Sequence, residues 1–222
     1  MKFIDIHTHL PCEKPEILCI QNLIVGRDAC NLDSSQYYSC GIHPWYLDSE
    51  EEKIKQLNSF VSHPRILAIG ECGLDFREKY LKIYNKQKQI EVFSKQIEIA
   101  RQNNKALIIH CVKCLHELLN LRNKYPKEKW IFHGFNKNKK SAALLIKNGI
   151  YLSYGAGILK FPAAAESLLH TPLDMVFFET DDQNRYSIEE IYKYAAKILN
   201  ISLEKLSAEI QKNFEKVFKP VK

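Results

Sequence analysis

No apolar run in this chain approaches the roughly 20 residues that a bilayer-spanning helix requires, so the sequence offers no membrane span. The N-terminus lacks the apolar core of a secretory signal, because one lysine is followed by alternating polar and apolar residues. Linkers, internal repeats and low-complexity tracts are also missing. A single domain over residues 1–222 is therefore expected, long enough to bury a sizeable core. There is no second Cys-x-x-Cys to complete a zinc site. The seven cysteines are odd in number and scattered, at Cys12, Cys19, Cys30, Cys40, Cys72, Cys111 and Cys114. That pattern argues against a disulfide framework and for a cytoplasmic protein. Cys111 and Cys114 form the only close pair and read as incidental small residues rather than a redox motif. Charge of one sign is in small excess: 32 Lys and Arg against 26 Asp and Glu, net +6. The excess mildly favours polyanionic ligands, and diffuse lysine on solvated helices accounts for it equally well.

Eight apolar runs of strand length are present: Phe3–His7, Ile17–Val25, Tyr37–His43, Ile66–Glu71, Ala106–His110, Trp130–His133, Ile150–Ser153 and Met175–Thr180. Most are continuous rather than alternating, as in strands buried on both faces of a parallel sheet. Helical segments are expected over Ser49–Val61, Lys79–Asn103, Lys113–Lys124, Lys137–Lys147, Phe161–Leu169, Ser187–Leu199 and Leu203–Phe218. Capping boxes are expected at Ser49-x-x-Glu52 and Ser187-x-x-Glu190. Strand and helix alternate through most of the chain, which gives right-handed βαβ units. The class is α/β, and the architecture is a distorted, trimmed TIM (β/α)8 barrel. Such barrels usually take about 250 residues. The shortfall lies in Pro11–Glu16 and Gly26–Gln36, neither of which shows a convincing helix. An open doubly wound sheet is the alternative.

Polar residues collect where these runs end. His7 and His9 are one residue apart on a strand, so both imidazoles share a face. His43, Glu71, His110 and His133 close other runs, and Glu179-Thr180-Asp181 closes the last. In a parallel barrel all these ends open on one mouth, where active sites form. Packing so many uncompensated polar groups together is costly. Metal ions relieve the cost, and imidazole with carboxylate suits divalent ions such as Zn, Mn or, with fewer imidazoles, Mg. Two ions would use the whole set, which points to metal-assisted hydrolysis of phosphodiesters or amides.

The chain resembles the TatD family of metal-dependent hydrolases, from Ile4 to about Phe218. Ile4-Asp5-Ile6-His7-Thr8-His9-Leu10 resembles the family's opening HxH. Gly41-Ile42-His43-Pro44 resembles its GxHP, and Gly70-Glu71-Cys72-Gly73-Leu74-Asp75 its GExGLD. Ile108-Ile109-His110, Phe132-His133 and Glu179-Thr180-Asp181 resemble its later ligand segments. The resemblance implies two divalent metal ions and deoxyribonuclease activity, and trimming of DNA ends is the first reading of the function. His7, His9 and Asp181 would hold one ion, His110 and His133 the other, and Glu71 would bridge them. Asp181 would also orient or deprotonate the attacking water, and His43 would donate to a phosphate. Lys113 and Lys137 are candidate substrate contacts, and Trp45 and Tyr46 could stack a base. Where the family carries arginine two places after the histidine matched by His110, this chain has Val112, with Lys113 next. Lysine lacks the bidentate fork of arginine. Gly134-Phe135-Asn136-Lys137 and Asp182-Gln183 also depart from the family. DNA or a nucleotide is the expected partner, and the chain is expected to be a monomer. A small amide, ester or nucleotide substrate is a second reading, and a non-catalytic metal-stabilised binding module a third.

Overall fold

A computed structural model describes residues 2–12, 14–29, 32–183 and 185–218. Eight strands form one sheet in the order of the sequence: β1 (Phe3–Thr8), β2 (Ile17–Ile24), β3 (Tyr37–Gly41), β4 (Ile66–Asp75), β5 (Ala106–Val112), β6 (Trp130–Phe132), β7 (Ile150–Tyr154) and β8 (Val176–Phe178). Every neighbouring pair is parallel. β8 returns to β1 just beyond its own end. The Asp181 N–H donates to the His7 carbonyl at 2.9 Å, and the His9 N–H donates to the Asp181 carbonyl at 3.1 Å. The sheet is therefore a nearly closed barrel, the TIM-like architecture that the alternation of strand and helix predicts.

The helices are α1 (Glu50–Phe60), α2 (Glu78–Leu81), α3 (Lys86–Gln102), α4 (Leu115–Lys124), α5 (Lys139–Lys147), α6 (Gly157–Lys160), α7 (Pro162–Leu169), α8 (Ile188–Leu199) and α9 (Leu203–Phe218). Among the described residues no helix joins β1 to β2 or β2 to β3, so the barrel is trimmed where the sequence is short. Cys30, in the second of these connections, lies outside the described residues. Every residue of β1 and of β4 is buried, because inward side chains fill the barrel and outward ones meet helices. From outside, α3 turns Val92, Phe93, Ile97 and Ala100 inward, and α9 adds Leu206, Ile210 and Phe214. Among the described residues no helix is long and apolar enough to cross a membrane.

Four expectations need correction. The helix expected over Lys79–Asn103 is two helices, because Asn85 accepts the Lys88 N–H and caps a new start. The box at Ser49 is absent: Ser49 is left-handed (φ 49°) and its side chain makes no cap bond. Glu50, Glu51 and Glu52 complement that helix end by charge instead. The box at Ser187 and Glu190 forms as expected. β4 does not stop at Glu71 but runs on to Asp75, which leaves Glu71 within the strand. Finally, Cys12 and Cys19 are joined in a disulfide. With no helix between β1 and β2, the chain turns straight back and brings residues seven apart in sequence together. Cys111 and Cys114 remain free and buried, with their sulfurs 2.9 Å apart.

Candidate metal centre

Period-two geometry at the end of β1 sends His7 and His9 to one point. Their Nε2 atoms lie 3.7 and 3.5 Å from Glu71 Oε2, and 3.6 and 3.7 Å from Asp181 Oδ1. Asp181 holds a left-handed backbone (φ 60°), which lets its peptide bridge to β1 while its carboxylate faces the histidines. The buried Asp5 carboxylate ties the same corner, accepting from the Thr180 N–H at 3.1 Å and hydroxyl at 2.6 Å.

The other oxygen of Glu71 faces a second set. Oε1 lies 2.6 Å from His110 Nδ1, 2.8 Å from His133 Nε2 and 3.3 Å from His43 Nε2. Glu71 can sit within β4 and still reach both sets because the ladder to β5 is irregular between Ile69 and Cys72. Its N–H donates to Asn22 Oδ1 on β2 at 2.5 Å. His43 has its Nδ1 occupied as acceptor of the Trp45 N–H at 3.1 Å. In the neutral ring that bond leaves the proton on Nε2, so His43 presents a donor to the centre.

Several residues that the sequence motifs contain without revealing their task hold these groups in place. Asp75 Oδ2 lies 3.1 Å from His110 Nε2 and accepts the Trp45 indole N–H at 2.8 Å. Arg77 Nε donates to both Asp75 oxygens at 3.0 Å. Glu179 Oε1 lies 3.4 Å from His133 Nδ1 and accepts the Gly134 N–H at 2.5 Å. A carboxylate bonded to the far ring nitrogen fixes the tautomer and orientation of a ligating imidazole, as Asp75 does for His110, while Glu179 stands beside His133 Nδ1 without closing a hydrogen bond. Two buried glutamines of α3 grip the strand ends from outside. Gln89 accepts the Asp75 N–H at 2.7 Å and donates to the Asp75 carbonyl at 3.0 Å. Gln96 does the same for Ile42, at 2.7 and 3.0 Å. Their spacing of seven on the apolar face of a helix was the only signal in the sequence.

A cavity of about 280 Å³ opens over these groups, lined by His9, His43, Trp45, Glu71, His133 and Asp181 among others. Lys113 and Lys137 are not among its lining residues. Lys113 is exposed in a left-handed turn after β5 (φ 57°), and Lys137 is half-buried ahead of α5. A larger cavity of about 470 Å³ lies beside β1 and the start of α8, but none of the six candidate ligands lines it.

The sequence profile of the family described as TatD related DNase matches residues 25–219. The chain belongs to the TatD family. His7 and His9 precede the matched stretch, and the fold alone brings them to the centre. A protein of Buchnera aphidicola, named an uncharacterized metal-dependent hydrolase, is 29% identical to this TatD chain, over 81% of the chain and 73% of the relative. The human protein named 3'-5' RNA nuclease TATDN2 is 29% identical over 81% of the chain, which spans 22% of that longer protein. The structure of YJJV, a TatD homologue of Escherichia coli K12, shares the fold with a TM-score of 0.83 at 17% identity, covering 98% of both chains. This is a family of metal-dependent hydrolases in which some members carry nuclease names.

The donor set of this TatD chain fits a divalent ion. His7 is fully buried, yet neither of its ring nitrogens has a hydrogen-bond partner. Buried polar atoms of this kind call for a missing partner. Ligand atoms of His7, His9 and Asp181 lie within 4.8 Å of one another, as do those of His7, Glu71 and His133. The electrostatics point the same way. Burial opposes ionisation of Glu71, but His133, His110 and His43 outweigh it and hold the carboxyl well below its ordinary value. Burial also opposes the charged form of His133, yet Glu71 and Glu179 raise it well above its ordinary value. Hydrogen bonding to Glu71 raises His9. For Asp181, burial loses to His7 and His133, and the carboxyl falls to about 2. The carboxylates thus draw positive charge into the cluster, and a divalent cation is the charge that imidazoles and carboxylates jointly bind.

Proposed function

We propose that this TatD protein is a divalent-metal-dependent phosphodiesterase that trims DNA ends. Its centre would bind two ions, with His7, His9 and Asp181 on one side, His110 and His133 on the other, and Glu71 between them. The observation that carries the reading is the division of Glu71. One oxygen faces His7 and His9 at 3.7 and 3.5 Å, and the other faces His110 and His133 at 2.6 and 2.8 Å. When bound, such ions supply Lewis-acid polarisation of a phosphoryl oxygen and acidify water. The side chains supply the rest. Asp75 holds His110 in the ligating orientation, and Glu179 stands beside His133. His43 donates from Nε2 to a non-bridging phosphate oxygen. Asp181, 38% exposed at its side chain, reaches the open side of the cavity, where it orients the attacking water and takes its proton.

The cavity volume supports attack at an end. At about 280 Å³ it lies at the low end of ligand-pocket sizes, which admits a chain end rather than a duplex. The same size favours a mononucleotide or small ester as the second reading. The test is a labelled single-stranded DNA incubated with the protein and Mg²⁺ or Mn²⁺. Stepwise shortening is expected, chelation with EDTA is expected to stop it, and Asp181→Asn is expected to slow it by about 10²–10⁴-fold. Intact DNA beside rapid hydrolysis of bis(p-nitrophenyl) phosphate would favour the second reading. Neither activity in metal-loaded protein would overturn both. RNA run in parallel decides between the substrates that the family description and the human relative name.

A further inference from the structure

We infer that Arg27 and Lys79, two cations carried on an aromatic ridge at one rim of the mouth, form the track that holds the backbone of a single-stranded nucleic acid. The inference rests on the nuclease reading and names residues that neither the sequence motifs nor the resemblance single out.

The ridge is continuous. The Arg27 guanidinium lies 4.1 Å from the centre of the Tyr46 ring, and Tyr46 lines the cavity. Tyr46 meets Trp45 at 6.4 Å, and Trp45 stacks on Tyr80 at 4.5 Å with the planes 10° apart. The Lys79 ammonium lies 4.6 Å from the Tyr80 ring and 6.0 Å from the Trp45 ring. His43 stands at the middle, 4.5 Å from Trp45 and 5.8 Å from Tyr46. The ridge draws on the segments that follow β2, β3 and β4, all at the mouth end of the barrel. Asp181 and Asp182 line the cavity as well, so basic and acidic groups meet around one opening.

Both cations are exposed, and among the described residues neither has an ion-pair partner. The carboxylates nearest in sequence are engaged elsewhere. Asp28 accepts the Ile24 N–H at 2.7 Å, Asp48 pairs with Lys53 at 3.0 Å, and Glu78 pairs with Lys82 at 2.9 Å. Arg77 lies on the same ridge, but its guanidinium is committed to Asp75. Arg27 and Lys79 are thus charges held in place by rings and free to meet an anion. Cations beside aromatic faces, leading into a narrow cavity, are what a flexible strand needs: phosphates on the charges and a base over a ring. A rigid duplex cannot thread its end into a cavity of about 280 Å³ without fraying. The ridge also answers the sequence departure, since it puts an arginine at the mouth where Val112 and Lys113 leave none.

The test uses the Asp181→Asn protein with Mn²⁺, so that a fluorescent single-stranded oligonucleotide binds without being cut. Combining Arg27→Ala with Lys79→Ala is expected to weaken binding more than tenfold. The slope of log affinity against log salt is expected to fall by about 1.4, the value for two lost phosphate contacts on a single strand. Lys197→Ala, which removes one positive charge at the far end of α8, is expected to change neither. If the parent protein binds or cuts the strand and the double variant binds it equally well, this inference falls and the nuclease reading stands. If the parent protein neither binds nor cuts nucleic acid, both fall. Equal binding of a blunt duplex, lost equally in the double variant, would overturn the single-strand assignment.

Discussion

Glu71→Gln is expected to lower phosphodiester hydrolysis about a thousandfold or more while leaving the barrel folded. Glutamine has the shape of glutamate but carries no charge, and an NH2 group with two donors replaces one of the two carboxylate oxygens. Both oxygens of Glu71 are in use. Oε1 lies within 3.3 Å of three imidazoles, and Oε2 faces two more at 3.5 and 3.7 Å. An amide in that place would confront one set of histidines with N–H groups and remove the charge that binds cations to both. The loss should exceed that of any single histidine, because each histidine serves one side and Glu71 serves two. Initial rates on DNA, compared with far-ultraviolet circular dichroism, separate loss of chemistry from loss of fold. A variant that retains a tenth of the wild-type rate would remove Glu71 from its bridging role.

Gly73→Ala is expected to be the most damaging single-methyl addition, costing about 3–5 kcal/mol of stability. Gly73 pairs with His110 across β4 and β5, and its φ of +136° is open to glycine alone. A methyl group there would stand 2.2 Å from the His110 carbonyl oxygen. That oxygen belongs to backbone in the middle of the sheet, so no side-chain rotation relieves the clash. Strand β5 has to move, and His110 moves with it. The melting temperature is expected to fall by roughly 10 °C, with weaker metal affinity as a second consequence. A melting temperature within about 2 °C of wild type would show that β4 and β5 are less tightly joined than their register implies.

The legible part of the fold was the part fixed by local pattern. Continuous apolar runs such as Leu107, Ile108 and Ile109 have to be buried on both faces, so the eight strands and their parallel order could be read directly. The six candidate ligands stand out in the sequence by type and by their place at or beside the ends of apolar runs, and the fold gathers them around Glu71, which itself lies within β4. What stayed hidden depends on distant partners. β4 extends past Glu71 because Gln89 holds the Asp75 backbone from α3. The helix break at Asn85 reflects a cap that competes with an otherwise unbroken helical period. The Cys12–Cys19 disulfide needed the knowledge that no helix separates β1 from β2. Asp75 and Glu179 were visible as motif letters, but their task shows only when His110 and His133 stand beside them. Lys113 and Lys137 follow mouth-forming strands in sequence. The cavity instead meets Tyr46, which carries Arg27 from a connection too irregular to read.

Glu71 is proposed to join two divalent ions, and calorimetric titration of metal-stripped protein with Mn²⁺ counts them. Two ions are expected to bind per wild-type chain, with both sites weakened together in Glu71→Gln. Binding of one ion or none by the wild type, or loss of only one site in the variant, would contradict a bridging Glu71.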